Sequence, residues 1–109
     1  MEFSTTKKDG ALVVAVEGRM DAITTTEFDA QSQTWLADGE KKVIADLSGL
    51  EYISSAGLRS ILAAAKQLKG SGGQLVFCGL SGMVEEVFNV SGFAAMFTIH
   101  KTLDDALAG

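Results

Sequence analysis

Two adjacent serines, Ser54 and Ser55, stand directly before Ala56-Gly57-Leu58 at the head of a strongly patterned segment. A hydroxyl in that setting can attack a substrate, cap a helix or carry a phosphoryl group. Attack requires a base and a group to orient it. The single histidine, His100, ends the last strand expected in the chain, and no orienting partner can be assigned to it. A nucleophile elbow also needs glycine two residues before its serine, whereas Tyr52 and Ile53 precede this pair. No catalytic residues are therefore assigned, and the chain reads as a binding module rather than an enzyme.

The other candidates for chemistry are weaker. Gly70-Ser71-Gly72-Gly73 is glycine-rich but follows a helical segment instead of a strand, so it reads as a turn and not a phosphate cradle. Asp46 ends a strand-like run, as a phospho-acceptor aspartate would, and Lys101 could stand for the accompanying lysine. The pair of acids needed for Mg²⁺ is missing after the first strand, so Asp46 reads as a cap on the loop behind it. Glu85-Glu86 and Asp104-Asp105 fall in expected first turns of helices, where the helix dipole favours them. Cys78 is the only cysteine and lies in the apolar run Leu75–Cys78, so it reads as a small buried hydrophobe. No Cys/His set for a metal exists, and no cofactor is implied.

The formal charge of −5, with nine basic residues spread along the chain, argues against a nucleic-acid partner. No stretch reaches the ~20 apolar residues of a membrane span, and MEFSTTKKDG lacks the apolar stretch of a signal peptide. The cytoplasm is the expected compartment. The length of 109 residues suits one domain, 1–109, with no linker and no internal repeat.

The elements that must position the serines follow from periodicity. Glu2–Lys7 reads as an edge strand, turned by Asp9-Gly10 into the apolar strand Ala11–Val16. Gly18-Arg19-Met20-Asp21 breaks that strand. Thr24 to Thr26, with Glu27 behind, reads as a hydroxyl-capped helix start. Phe28, Trp35 and Leu36 share its inner face, and Gly39 stops it. Val43–Leu47 is a strand, and Ser48 to Ile53 is expected as a loop. Leu58, Ile61, Leu62, Ala65 and Leu68 then form an amphipathic helix, capped by Ser54 or Ser55. Leu75–Cys78 is a strand. Ser81 should cap a helix that turns Met83, Val84, Val87 and Phe88 inward. Phe97–Ile99 is a last strand, and Thr102 caps a terminal helix with Asp105 in an imperfect capping box. The order β-β-α-β-α-β-α-β-α implies an α/β fold with a mostly parallel sheet and one antiparallel edge.

At the serine pair, the capping oxygen would lie beside unpaired amides and the positive helix end. Those groups also favour a phosphate, worth roughly 0.3–1 kcal/mol at an exposed helix terminus. Arg59, four residues beyond Ser55, could flank that phosphate, and Gly57 allows close approach to the backbone.

The run Asp46-Leu47-Ser48-Gly49-Leu50-Glu51-Tyr52-Ile53-Ser54-Ser55-Ala56-Gly57-Leu58 resembles the signature of STAS domains, specifically the anti-sigma factor antagonists. Gly18-Arg19-Met20-Asp21 resembles a second, shorter family motif. The resemblance implies a mixed sheet of four to five strands with about four helices packed largely on one side. It also implies partner switching in bacterial transcription regulation. The unphosphorylated protein binds an anti-sigma factor that is a serine kinase. The kinase phosphorylates Ser55, with Ser54 the alternate acceptor, and phosphorylation releases it. A PP2C-type phosphatase resets the switch. The implied partner surface comprises Asp21, Thr24, Ser54, Ser55, Ala56, Gly57 and Arg59, with Asp46 and Ser48 supporting the loop. The family usually has aspartate before the acceptor, where this chain has Ser54. The competing expectation is a STAS module that binds a small ligand, a nucleotide or a lipid, or that regulates a target other than a sigma factor.

Overall fold

The computed structural model describes residues 1–109. Its strands are β1 (Glu2–Lys8), β2 (Ala11–Met20), β3 (Lys42–Ile53), β4 (Gln74–Cys78) and β5 (Ile99–His100). Its helices are α1 (Thr25–Ala37), α2 (Ser55–Gly70), α3 (Gly82–Ser91), α4 (Phe93–Met96) and α5 (Leu103–Ala108). The strands lie side by side in chain order, with β1 antiparallel to β2 and the rest parallel. The expected α/β architecture is present, with the short α4 as an additional helix.

The continuous apolar runs mark strands covered on both faces. Val14, Val16, Val43, Ala45, Leu47, Leu75 and Phe77 face one side, where they pack with Phe28 and Trp35 of α1, Ile61 and Leu68 of α2, and Val84 and Phe88 of α3. The alternate residues Ala11, Val13, Ile44, Val76 and Cys78 face the other side, which Ala106 of α5 closes. Four helices thus cover one face and one short helix covers the other. Rings of Phe77, Phe88, Phe93 and Phe97 meet edge-on or tilted at 5.2–5.5 Å between centroids, tying α3 and α4 to the sheet.

Two expectations about strand ends require correction. β2 does not break at Gly18 but runs on to Met20, and Ser48 to Ile53 is not a loop but the second half of β3. The two extensions pair with each other, Glu17 with Gly49, Gly18 with Leu50, Arg19 with Tyr52 and Met20 with Ile53. Register shifts between Ala15 and Glu17 and between Gly18 and Arg19 absorb the mismatch, and Gly18 holds φ +102° there. At Gly49 a β-carbon would lie 2.6 Å from Glu17 Cγ, so a larger residue there would have to displace the exposed Glu17 side chain. Pairing of β3 with β4 ends at Asp46 and Cys78, so the β2–β3 ribbon projects beyond the rest of the sheet.

Smaller differences follow the same principle of local signal against packing. Ser81 does occupy the N-cap position of α3, but its hydroxyl makes no capping bond. Met83 is not turned inward and is 38% exposed, because Val84, Val87 and Phe88 fill the inner stripe of this short helix. The last strand is Ile99–His100, and Phe97 enters the core from the segment before it.

Candidate functional site

The projecting ribbon ends in two adjacent junctions. The Ser54 amide donates to the Met20 carbonyl at 2.9 Å, continuing the ladder by one rung. The turn after β2 and the start of α2 therefore emerge side by side.

At the second junction the two serines have different environments. Ser54 is extended, with φ −95° and ψ 174°, and is the N-cap of α2. Its Oγ accepts from the Gly57 amide at 3.3 Å, and its carbonyl accepts from Leu58 at 3.0 Å. Ser55 is the first helical residue. It is exposed, and its hydroxyl is engaged in no hydrogen bond. Serine and the aspartate that the resemblance leads one to expect at this position are both strong N-cap residues, so Ser54 keeps the cap without a charge.

Gly57 does not present open backbone to a partner. It is buried, and a β-carbon there would lie 2.8 Å from Ile53 Cγ1 and 2.9 Å from Met20 Cγ. Its role is to seat the first turn of α2 against the ends of β2 and β3. Ala56 is half-buried, while Arg59 is exposed one turn along from Ser55. A polar groove of about 510 Å³ between α1 and α2 is lined by Ala56 and Arg59 together with Asp29, Ser32 and Gln67.

At the first junction, Asp21 and Thr24 lock the turn. Asp21 Oδ1 accepts from the amides of Thr24 at 3.0 Å and Ile23 at 2.9 Å. These backbone bonds, Thr24's first, hold its carboxyl below the ordinary value of 3.8. Thr24 Oγ1 donates to the Arg19 carbonyl at 2.8 Å and accepts from the Asp21 amide at 2.9 Å. Thr24 is thus the N-cap residue of α1 by position, but its hydroxyl does not cap that helix as expected. It is consumed by the turn instead.

Asp46 and Ser48 lie further down the ribbon. Asp46 Oδ1 accepts from the Ser48 amide at 3.1 Å. The carboxylate supports an irregularity within β3, where a loop was expected.

Three residues beside the serines escaped the sequence reading. Ile23 is 83% exposed at the tip of the Asp21–Thr24 turn, a large aliphatic isolated between Ala22 and three threonines. That isolation was its only signal. Arg19 and Tyr52 are cross-strand partners, with the guanidinium 4.2 Å from the ring centroid. Their pairing is invisible until the two strand extensions are recognised.

No acid–base pair serves Ser55. His100 lies against Gly109 at the other end of the chain, and no three His, Cys, Asp or Glu side chains converge on a metal position. No helix is long and apolar enough to cross a membrane. Geometrically, the site is an exposed hydroxyl on the first turn of a capped helix, beside the junction that leads into the hydrogen-bonded Asp21–Thr24 turn, with the exposed Arg59 four residues along α2.

Comparison with known proteins bears on the family and the fold. A family model described as STAS domain matches residues 2–106. BtrV of Bordetella bronchiseptica, named as an anti-sigma factor antagonist, is 38% identical over 108 residues, covering 99% of this chain and 93% of its own. An anti-sigma factor antagonist from Mycobacterium paratuberculosis has a crystal structure that superposes with TM-score 0.89 at 26% identity, covering 98% of this chain and 91% of that one. The Bacillus cell fate determinant SpoIIAA in its phosphorylated form shares the fold, with TM-score 0.74 at 19% identity and coverage of 98% and 97%. The chain belongs to the STAS domain family, and its relatives are anti-sigma factor antagonists.

Proposed function

We propose that this chain is an anti-sigma factor antagonist that works by partner switching, with Ser55 as the phosphorylation site. The observation that carries the reading is the division of labour between the serines. Ser54 holds the cap, so Ser55 Oγ is free, exposed and adjacent to the positive end of α2. An anti-sigma factor with serine-kinase activity would transfer the γ-phosphoryl group of ATP to that oxygen, releasing ADP. A PP2C-type phosphatase would hydrolyse the ester. The requirement for ATP fits a cytoplasmic protein. The chain itself performs no catalysis in this scheme.

The electrostatics support a switch without refolding. The phosphate adds about −1.5 to −2 charge at one exposed point. Amides at the start of α2 and the nearby Arg59 can tolerate it within this protein. A partner surface packed against Ser55 cannot, because desolvating a dianion is costly. A loss of ~3 kcal/mol already weakens association more than a hundredfold. The partner surface on this reading is Asp21, Ile23, Thr24, Ser55, Ala56 and Arg59.

Incubation with the cognate kinase and ATP, followed by intact-mass measurement, tests the acceptor. One phosphate is expected on the parent protein and none on Ser55→Ala, which still binds the kinase. A phosphate on Ser55→Ala would transfer the role to Ser54. Equal kinase affinity for Ser55→Asp and the parent protein would remove the release step.

A further inference from the structure

A second concave surface lies far from the serines. A groove of about 660 Å³ runs between the C-terminal half of α2, the β4 edge and the segment leading into β5. Ser55 and Lys69 sit at opposite ends of α2, roughly 20 Å apart at the rise of an α-helix. Leu62, Leu75 and Phe97 line it with apolar surface, and Met96, 57% exposed, stands on its wall. Lys41, Lys66 and Lys69 supply its charge.

The charge distribution is unusual for this chain. Acidic residues outnumber basic ones 14 to nine, yet three lysines and no carboxylate line the groove. None of the three forms a salt bridge; the ion pairs of the molecule are Lys7–Glu40 and the N-terminus with Glu27. Lys41 Nζ is fixed at one end, donating to the Ser71 carbonyl at 2.6 Å. Lys69 is in the last turn of α2, where the helix dipole favours a cation. Lys66 is one turn further in and has neither a carbonyl nor a carboxylate partner. Three cations over an apolar floor, with no internal counter-charge, match a ligand with an anionic head and an apolar body.

We propose that this groove binds an acyl-type ligand through a carboxylate or phosphate head held by Lys41, Lys66 and Lys69, with the chain lying along Leu62, Leu75 and Phe97. This site goes beyond the phosphorylation switch and does not depend on it, because no groove residue belongs to the Ser55 surface.

Amide-resolved NMR titration of the full chain provides the test, with four probes kept below micelle-forming concentrations. Octanoate and octyl phosphate carry the two heads, AMP carries a phosphate without an acyl chain, and octanol carries the chain without a charge. Saturable shifts at Leu62, Lys66, Lys69, Gly72 and Gly73 are expected with octanoate, octyl phosphate or both, and the tighter of the two identifies the head. The Lys66→Glu/Lys69→Glu variant should bind at least about tenfold more weakly, and added salt should weaken the parent complex. Ala65→Phe, which fills the floor, should do the same without altering charge. Ser55→Asp should bind as the parent does. Three results overturn the proposal: no localised saturation with either acyl probe, AMP or octanol binding as tightly as the acyl anions, or unchanged affinity in both groove variants.

Discussion

The Ser54 hydroxyl accepts the Gly57 amide at 3.3 Å, closing the first turn of α2 and leaving the Ser55 hydroxyl outside it. This single bond separates a serine committed to the helix cap from an adjacent one whose hydroxyl is exposed and unbonded. Ser54→Ala should destabilise the domain by about 0.5–2 kcal/mol, the cost of losing a cap. Ser54→Asp restores the acceptor and adds favourable charge at the helix start, so it should match or exceed the parent protein. Ser55→Ala should leave stability within ~0.5 kcal/mol, as befits an exposed site. Urea unfolding of the three variants checks the ranking.

Gly57→Ala introduces one methyl group where Ile53 Cγ1 and Met20 Cγ leave less than 3.0 Å. Met20 and Ile53 are both buried to within 2% exposure, so neither can swing into solvent. The expected loss is about 1–3 kcal/mol from overpacking. At ~4–8 °C per kcal/mol for a domain of this size, calorimetry should resolve it. An unchanged melting temperature would mean that α2 shifts freely over the ribbon.

The Arg19 guanidinium over the Tyr52 ring braces the exposed face of the ribbon. Tyr52→Phe keeps the ring and should be nearly silent. Tyr52→Ala should lose about 0.5–1 kcal/mol for the exposed cation–π contact, and a further decrement for lost cross-strand packing. Arg19→Ala combined with Tyr52→Ala should be less than additive in a double-mutant cycle.

Asp21 should titrate below 3.8 in a carboxyl NMR titration, because its charged form accepts the Thr24 and Ile23 amides. A depressed carboxyl pKa contributes stability that is present above the ordinary aspartate range. That contribution is lost as pH falls through the lowered value. The Asp21–Thr24 turn should therefore hold at neutral pH and loosen only in strong acid. Asp21→Asn, whose side-chain oxygen can still accept, should flatten this pH dependence while preserving the turn.

Cys78 is fully buried, and burial, reinforced by the Asp46 charge, pushes its thiol up to about 11. At neutral pH the native protein should react with iodoacetamide far more slowly than the urea-unfolded chain. Alkylation rates of the two states measured at equal reagent concentration provide the check. Comparable rates would show that the α5-covered face opens readily.

The elements with strong local signals were legible in the residues alone. Leu58, Ile61 and Leu68 announce α2 because helical periodicity is written within a few turns. The apolar runs of β2, β3 and β4 announce covered strands. Asp46 through Leu58 carried the family resemblance and marked Ser55, which the tertiary structure leaves exposed and unbonded. That much depends on interactions between residues close together in the chain.

Tertiary structure decided the rest, chiefly because it pairs the ends of β2 and β3, whose partners such as Glu17 and Gly49 lie more than thirty residues apart. Ser48 and Gly49 look like a loop until Glu17–Met20 pairs with them, since a strand with broken alternation is stabilised only by its neighbour. The Thr24 hydroxyl looks like a cap until the Arg19 carbonyl and the Asp21 amide claim it. Ser54 and Ser55 were equivalent candidates for the cap until the ladder bond from Ser54 to Met20 set the entry angle of α2. Gly57 looked like open backbone until Met20 and Ile53 closed over it. The sequence by itself therefore determined which segment carries the serine pair and the family signature. The tertiary structure decided which of its hydroxyls is committed: the Ser54 amide joins the β2–β3 ladder and its Oγ accepts the Gly57 amide, which leaves the Ser55 hydroxyl exposed and unbonded.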